Sequence, residues 1–501
     1  MKKQLKRAVA TAAVCAVGAT GTLSYLPSAH ADEAASTTTS SSSKPVATQF
    51  GREAWAWGTK VLANGIDVFS LKDAQAKQHC TDLAGLSSVA NSVASVTSYL
   101  PQELQDLVSI SPVTSTTQTY QDKAAGIDGV RATSTIADVQ IGGNTVGGVT
   151  LPKLSIEGLT SVADSFHAAN ASKKWDTNES FAFQGMKIDY DGSVVDGTPL
   201  ADLLDILNQV AAPVTQIVNQ VIQLLQSVGK VTIPGLAEIS LGTAYHKITD
   251  NSAASKAYAL RINLFPATDR LGDVLELGQA KSRISAPLTS AFFRSNMMGL
   301  DLAAGNDLLH LGGIQRRTIP CEGTSGQTLS KHVDSTSFPL AIPGVSDTAL
   351  VDLSDITYAY SGQQLSRGRA KGMVSSSLGT LKIPALGLEV QGLKTVINLF
   401  RPSATAAVQK RRTVTVGDIL VDGKSLLGGV KPVLGKIYEF VDKLTGDTNV
   451  IQFGAAIPKA DNRSGTGVEG IRLTIPGLAT KLSIGWAQAH ILPLGKIKGA
   501  R

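Results

Sequence analysis

The chain has 501 residues, long enough for more than one domain with its own core. Its 46 basic and 40 acidic residues give a net charge of +6, and Lys2, Lys3, Lys6 and Arg7 supply four of those charges before any acid appears. Without them the balance is 6 − 4 = +2, no electrostatic footprint for nucleic acid, and the 17 % of charged residues with abundant Gly, Ser and Thr suits an extracellular, strand-rich protein.

Residues 1–31 read as a secretory signal peptide: a basic start, an apolar run broken by Thr and Gly, then Ala29-His30-Ala31. Sec export with cleavage after Ala31 is expected. Cys15 sits mid-run behind Ala-Ala-Val, not in the Leu-led context at the end of a run that lipidation uses. Residues 32–50 form a Ser/Thr-rich linker that cannot bury apolar surface, and read as disordered.

A helical spacing runs through Leu86, Val89, Val93, Val96 and Leu100 up to Pro101. Leu154-Ser155-Ile156-Glu157 alternates instead, as a half-buried strand does, and Tyr190-Asp191-Gly192-Ser193 reads as a tight hairpin turn. Past Val195-Asp196-Gly197, Thr198 can N-cap a helix with Pro199 at its first position. Leu203, Leu207, Val210, Val214, Ile217, Val221, Leu224 and Val228 then form one stripe opposite Gln and Asn, and Pro213 should kink or divide that helix. Leu260, Ile262 and Leu264 alternate with Arg261 and Asn263. Later, Leu426, Val430, Val433, Ile437, Phe440 and Leu444 repeat the helical stripe around Pro432, and Ile471, Leu473 and Ile475 alternate with Arg472 and Thr474. The end, LPLGKIKGAR, carries Leu-Pro-x-Gly without a following apolar segment, so covalent wall anchoring by sortase is not expected.

Many of these segments occur twice. ISLGTA at 239–244 answers to IQFGAA at 451–456, LELGQAKSRI at 275–284 to LSIGWAQAHI at 482–491, and SIEGLTSVADSF at 155–166 to EVQGLKTVINLF at 389–400. Order is preserved while the offset drifts from 315 − 75 = 240 at the paired Gln75 and Gln315 to 485 − 278 = 207 at the closing glycines. Tandem duplication with insertions gives that drift, and chance matches would scatter. From Val-Asp-Gly to the helix proline there are 213 − 195 = 18 residues in one copy and 432 − 421 = 11 in the other. A difference of one heptad preserves the buried helix face to within ~20°. The expected fold is therefore mainly β (a β-rich α+β class), with two tandem homologous modules of antiparallel sheet, 51–286 and 287–492, each carrying one long amphipathic helix. A tail follows at 493–501.

Chemistry-bearing motifs are sparse. VDGKSL at 421–426 ends like a P-loop, but Gly417 to Gly423 encloses five residues where four are needed, and the other copy reads VDGTPL. No nucleotide or other cofactor is expected. Cys80 and Cys321 occupy matching positions of the repeat, and in an oxidising compartment such a pair is a disulfide candidate; the alternative is two separate thiols. The histidines His79, His167, His246, His310, His332 and His490 show no metal-ligand spacing, and a surface role is the plainer reading of His79 beside Cys80. Asp189, Asp191 and Asp196 could gather calcium but read better as a turn. Arg367-Gly368-Arg369-Ala370-Lys371 and Lys410-Arg411-Arg412 could touch wall polyanions or anionic lipid, or be solvated strand edges. There is no G-x-S-x-G elbow, so no catalytic or metal residue is named.

The export signal, the alternating strands, the Ile-Pro-Gly-Leu turns at 233–236 and 475–478, and the Leu-x-x-Gly-x-Ala closing strand together resemble the secreted actinobacterial proteins called choice-of-anchor P. That resemblance implies an address at the cell surface and no established activity. The expected function is non-enzymatic: an extracellular protein, released or held noncovalently at the envelope, in surface structure or adhesion. The alternatives are a carrier of lipid or another apolar ligand, with a groove between sheet and helix, and an enzyme with an unfamiliar site. Envelope components or lipid are the partners considered.

Overall fold

The computed structural model describes residues 23–24, 44–63, 66–70, 74–92, 107–110, 112–146, 149–190, 197–209, 212–264, 274–304, 309–311, 317–342, 346–384, 387–425, 451–457, 460–475 and 480–495. These residues form a mainly β protein of antiparallel sheets with two helices. In the first half, β1 (Val46–Ala63), β2 (Ala76–Ala84), β3 (Ser87–Ser92), β4 (Val113–Asp122), β5 (Ile127–Gly142), β6 (Lys153–Ala168), β7 (Trp175–Ala182) and β8 (Gly185–Asp189) precede the helices. After α1 (Pro199–Leu207) and α2 (Val214–Val228) come β9 (Ala237–Leu241), β10 (Ser252–Ala257), β11 (Leu260–Leu264) and β12 (Val274–Ser285). The second half holds β13 (Ala291–Ala304), β14 (Leu329–Ile342), β15 (Ser346–Gln364), β16 (Ala370–Ile383), β17 (Leu388–Arg401), β18 (Gln409–Thr415) and β19 (Asp418–Val421), then β20 (Ile451–Ala456), β21 (Gly465–Ile475) and β22 (Thr480–Pro493).

Period-two burial builds each half from two facing sheets. In the first, the sheet β7-β6-β5-β4-β3 turns Ile136, Ile156 and Leu159 toward Ile239, Leu260, Ile262, Leu275 and Leu277 of β9-β11-β12-β1. In the second, β14-β15-β16-β17-β19 turns Ile356, Val374, Leu378 and Ile397 toward Met297, Leu300, Ile471 and Ile484 of β13-β22-β21-β20. Strand pairing follows one order in both halves. β5 lies between β4 and β6, while β7 and β8 both pair with β6. Likewise β16 lies between β15 and β17, while β18 and β19 both pair with β17. The facing sheets of the two halves join into one, through Phe69 opposite Leu311 on two short strands, Ile66–Ser70 and Leu309–Leu311.

Where the facing sheets approach most closely, the two halves use the same contacts. Ser134 on β5 donates to the Trp57 carbonyl of β1 at 3.0 Å, and Ser376 on β16 donates to the Met298 carbonyl of β13 at 3.4 Å. Gly278 on β12 faces Ser161, where a Cβ would lie 2.8 Å from its Oγ; Gly485 on β22 faces Leu393 and Thr395, both at 3.1 Å. Both glycines have positive φ, 67° and 62°, a conformation that carries a steric cost for residues with a Cβ.

The helices form where the sequence signals them. Thr198 caps α1 by accepting from the Ala201 amide, Pro199 opens it, and Asp202 sits in its first turn. Leu203, Leu207, Val221 and Leu225 enter the core between the sheets. Pro213 divides the run, so the first half carries two helices instead of one long one, and α2 ends at Gly229 with φ 76°. The helical stripe from Leu426 to Leu444 and the hairpin residues after Tyr190 lie outside the described residues.

One further expectation is corrected. The helical spacing from Leu86 does not produce a helix at its start: Ser87–Ser92 is the strand β3, paired in register with β4, with Val89 61 % exposed. Serine is a modest helix former, and the open edge of β4 supplies backbone partners that a short helix would lack. Residues 93–106 lie outside the described set.

Candidate functional sites

VDGKSL is a β-hairpin. Val421 pairs with Lys424 and Leu420 with Ser425 around Asp422 (φ 47°) and Gly423 (φ 73°). Positive φ at both central residues is the signature of a two-residue type I′ turn, for which Asp-Gly is well suited. Ser425 Oγ donates to Asp418 at 2.8 Å. Lys424 and Ser425 therefore stand on a strand of a tight hairpin, not in the loop of a P-loop.

Cys80 on β2 and Cys321, between β13 and β14, are disulfide-bonded across 241 residues with Cα atoms 5.6 Å apart. Leu288 and Phe292 enclose the pair, and Leu492 and Leu494 pack alongside. Polar contacts crossing between the halves surround it. Arg283 forks onto Glu322 at 3.0 and 2.5 Å, and Ser285 donates to the same carboxylate at 2.6 Å. Arg294 donates to the Cys80 carbonyl at 3.1 Å. The Gly495 amide donates to Asp82 at 2.6 Å, while burial pushes the Asp82 carboxyl above the usual range.

Buried charges of the first half are paired across strands. Arg52 is fully buried and meets Asp128 at 2.5 Å, with further bonds to Thr48 and two carbonyls; burial lowers its guanidinium to about 10. Asp164 accepts from Tyr120 at 2.9 Å and from Arg131 at 3.0 and 2.7 Å. Burial pushes both Asp164 and Tyr120 upward. These partners fix side chains between strands, although Arg52 Nε is left without a hydrogen-bond partner among the described residues.

The histidines are dispersed. His79 meets the Trp55 ring edge-on at 5.3 Å, and His167 lies 4.8 Å from both Phe50 and Trp175. His246 is exposed on the strand Ala244–Thr249, and His332 contacts Thr357 and Asp334 at 3.0 and 3.1 Å. His490 is buried against Gln488 and Ser464 and is lowered to about 4, chiefly by burial and further by Arg294 and Lys410. The side chain of His310 lies outside the described set. Among the described residues no group of three His, Cys, Asp or Glu could hold a metal ion. Asp189 pairs with Lys187 at 2.9 Å, and Asp191 and Asp196 fall outside the described residues. Of the basic runs, Arg367 occupies the turn between β15 and β16, and Arg369 bonds Ser366. Lys410 and Arg412 pair with Asp461 on the exposed strand β18.

A shallow open cleft of about 430 Å³ lies over the face of β9, β11 and β12 that points away from the core, beside the end of α2. Lys230, Glu238, Ser240, Arg261 and Asn263 supply its polar groups. Lys230 pairs with Glu238 at 2.7 Å, and the buried Asn263 Oδ1 has no hydrogen-bond partner among the described residues. Sequence reasoning passed over this cleft, because Arg261 and Asn263 look like the ordinary solvent face of a strand; only pairing brings Glu238 and Ser240 beside them. No helix of the described residues is long and apolar enough to cross a membrane. No family model, no curated protein and no solved structure matches the chain.

Proposed function

We propose that the protein is an exported, non-enzymatic component of the extracellular space or cell envelope, with a role in surface structure or adhesion. On this reading its two halves are tandem copies of one β-rich module, of the kind found in choice-of-anchor P proteins, and residues 1–31 are removed on export. The observation that carries the proposal is the Cys80–Cys321 bond, buried at the contact between the halves and braced by the Arg283–Glu322 fork. A disulfide closing so long a loop belongs to an oxidising compartment and restrains two bodies against separation, as a load-bearing surface protein requires. The repeated Ser134 and Ser376 contacts and the matched pairing order support the tandem relationship. A lipid carrier would need a lumen between sheet and helix. In the first half that space is filled by Leu203, Val221 and Leu225, each at most 1 % exposed, and no observation favours the carrier reading.

The test is fractionation of the producing cell followed by intact-mass analysis of the recovered chain. Recovery from medium or envelope, starting at Asp32 with its cysteines unavailable to alkylation, is expected. A cytosolic chain with reactive thiols would overturn the proposal.

A further inference from the structure

We infer that the cleft over β9, β11 and β12 binds a carboxylate-bearing sugar unit, with Arg261 holding the carboxylate and Asn263 and Glu238 taking hydroxyls. This deepens the surface reading by naming a ligand class. Arg261 is exposed, and among the described residues its guanidinium has no hydrogen bond or ion pair. The matched arginine of the second half differs. Arg472 sits opposite Gln452 and Ser483 as Arg261 sits opposite Ser240 and Glu276. Yet Arg472 is fully committed, to Glu469, to Gln452 at 3.1 Å and to the Ala456 carbonyl at 3.2 Å. Glu276, facing Arg261, is drawn instead toward Lys60 and Lys256 at 3.8 and 3.9 Å and accepts from Gln279 at 3.1 Å. The first half thus leaves an arginine free where the second half ties it down.

The remaining groups narrow the ligand. Asn263 Oδ1 is desolvated and unpartnered, a state that costs free energy unless a donor arrives. Glu238 is a second acceptor, held below the usual carboxylate range by its bond from Lys230. A ligand must therefore bring one anionic group and several O–H donors. Arg261 and Asn263 are two residues apart on one strand face, so their Cα atoms lie about 7 Å apart. That is about the span from a ring carboxylate to a distant ring hydroxyl in a hexuronic acid. A plain inorganic anion would bring no donor for Asn263 Oδ1 or for the remaining lone pairs of Glu238, whereas the hydroxyls of a sugar supply them.

The experiment is NMR titration of the full exported chain with a tetramer of galacturonic acid, and with the same tetramer methyl-esterified. The acid form should shift Arg261 and Asn263 resonances saturably, and Arg261→Gln or esterification should each weaken binding at least about tenfold. Asn263→Ala should weaken it severalfold, and Arg472→Gln should leave it unchanged. Absence of any shift at about 10 mM ligand, the weak end of specific recognition, would overturn the inference, as would equal binding by the ester or by Arg261→Gln. Such a failure leaves the compartment result untouched, and a cytosolic location would sink the surface reading without altering this titration.

Discussion

The two halves of the molecule pair their strands in one order but spend their charges differently. In the first half, Arg52 is sealed against Asp128 and Asp164 is sealed between Tyr120 and Arg131, while Arg261 on the outer face has no ion pair among the described residues. In the second half the buried Arg401 bonds, among the described residues, the carbonyls of Ser403 and Ala404, and the outward Arg472 is locked to Glu469. The lesson is that apolar periodicity and close backbone approaches define the shared scaffold. The charged positions are free to diverge, because each needs only a local partner.

The largest break in that comparison should come from the buried arginines. Arg52→Met leaves Asp128 without its cation and should cost about 3–5 kcal/mol in urea unfolding, the range for a broken buried pair. Arg401→Met removes hydrogen bonds to carbonyls but strands no acid, and should cost about 1–3 kcal/mol. Equal costs would show that the acid partner contributes nothing.

A pH titration separates the halves next. His490 is lowered to about 4 in the fold, so between its unfolded value near 6.5 and about 4 the unfolded chain binds the proton and the folded chain does not. Stability should therefore fall as pH drops through that window, by about 3 kcal/mol at most, and His490→Gln should flatten the fall. The position matched to His490 in the first half is Arg283, which does not titrate there. A slope unchanged by His490→Gln would contradict the assignment.

Smaller effects sharpen the likeness. Gly278→Ala and Gly485→Ala should each cost about 1–2 kcal/mol, because both demand positive φ from a residue with a Cβ. Ser134→Ala and Ser376→Ala should each cost about 1 kcal/mol, the net value of one hydrogen bond. Markedly unequal costs within either pair, by chemical denaturation, would show that the matched contacts play unlike roles.

Much of the scaffold was legible in the sequence, since Leu260, Ile262 and Leu264 could only alternate toward one core, and Thr198, Pro199 and Pro213 announce a helix start and a break. Leu86 to Leu100 misled because spacing alone ignores the edge that β4 offers. Val-Asp-Gly was legible as a turn, but its hairpin geometry before Lys424 depends on pairing with Leu420 and Val421. The candidate cleft was not legible, because it depends on which acids Lys60, Lys256, Lys230 and Arg472 choose across strands. Those choices are made by tertiary neighbours and leave no local mark.

The Cys80–Cys321 bond ties the two halves of the described chain together. Calorimetry of the full chain, intact and with Cys80→Ser and Cys321→Ser together, shows whether that bond couples their melting. The account predicts one cooperative transition for the bonded chain, and for the double variant a loss of about 2–5 kcal/mol with the endotherm separating into two. Two transitions already present in the bonded chain, or a double variant that melts unchanged, would contradict it.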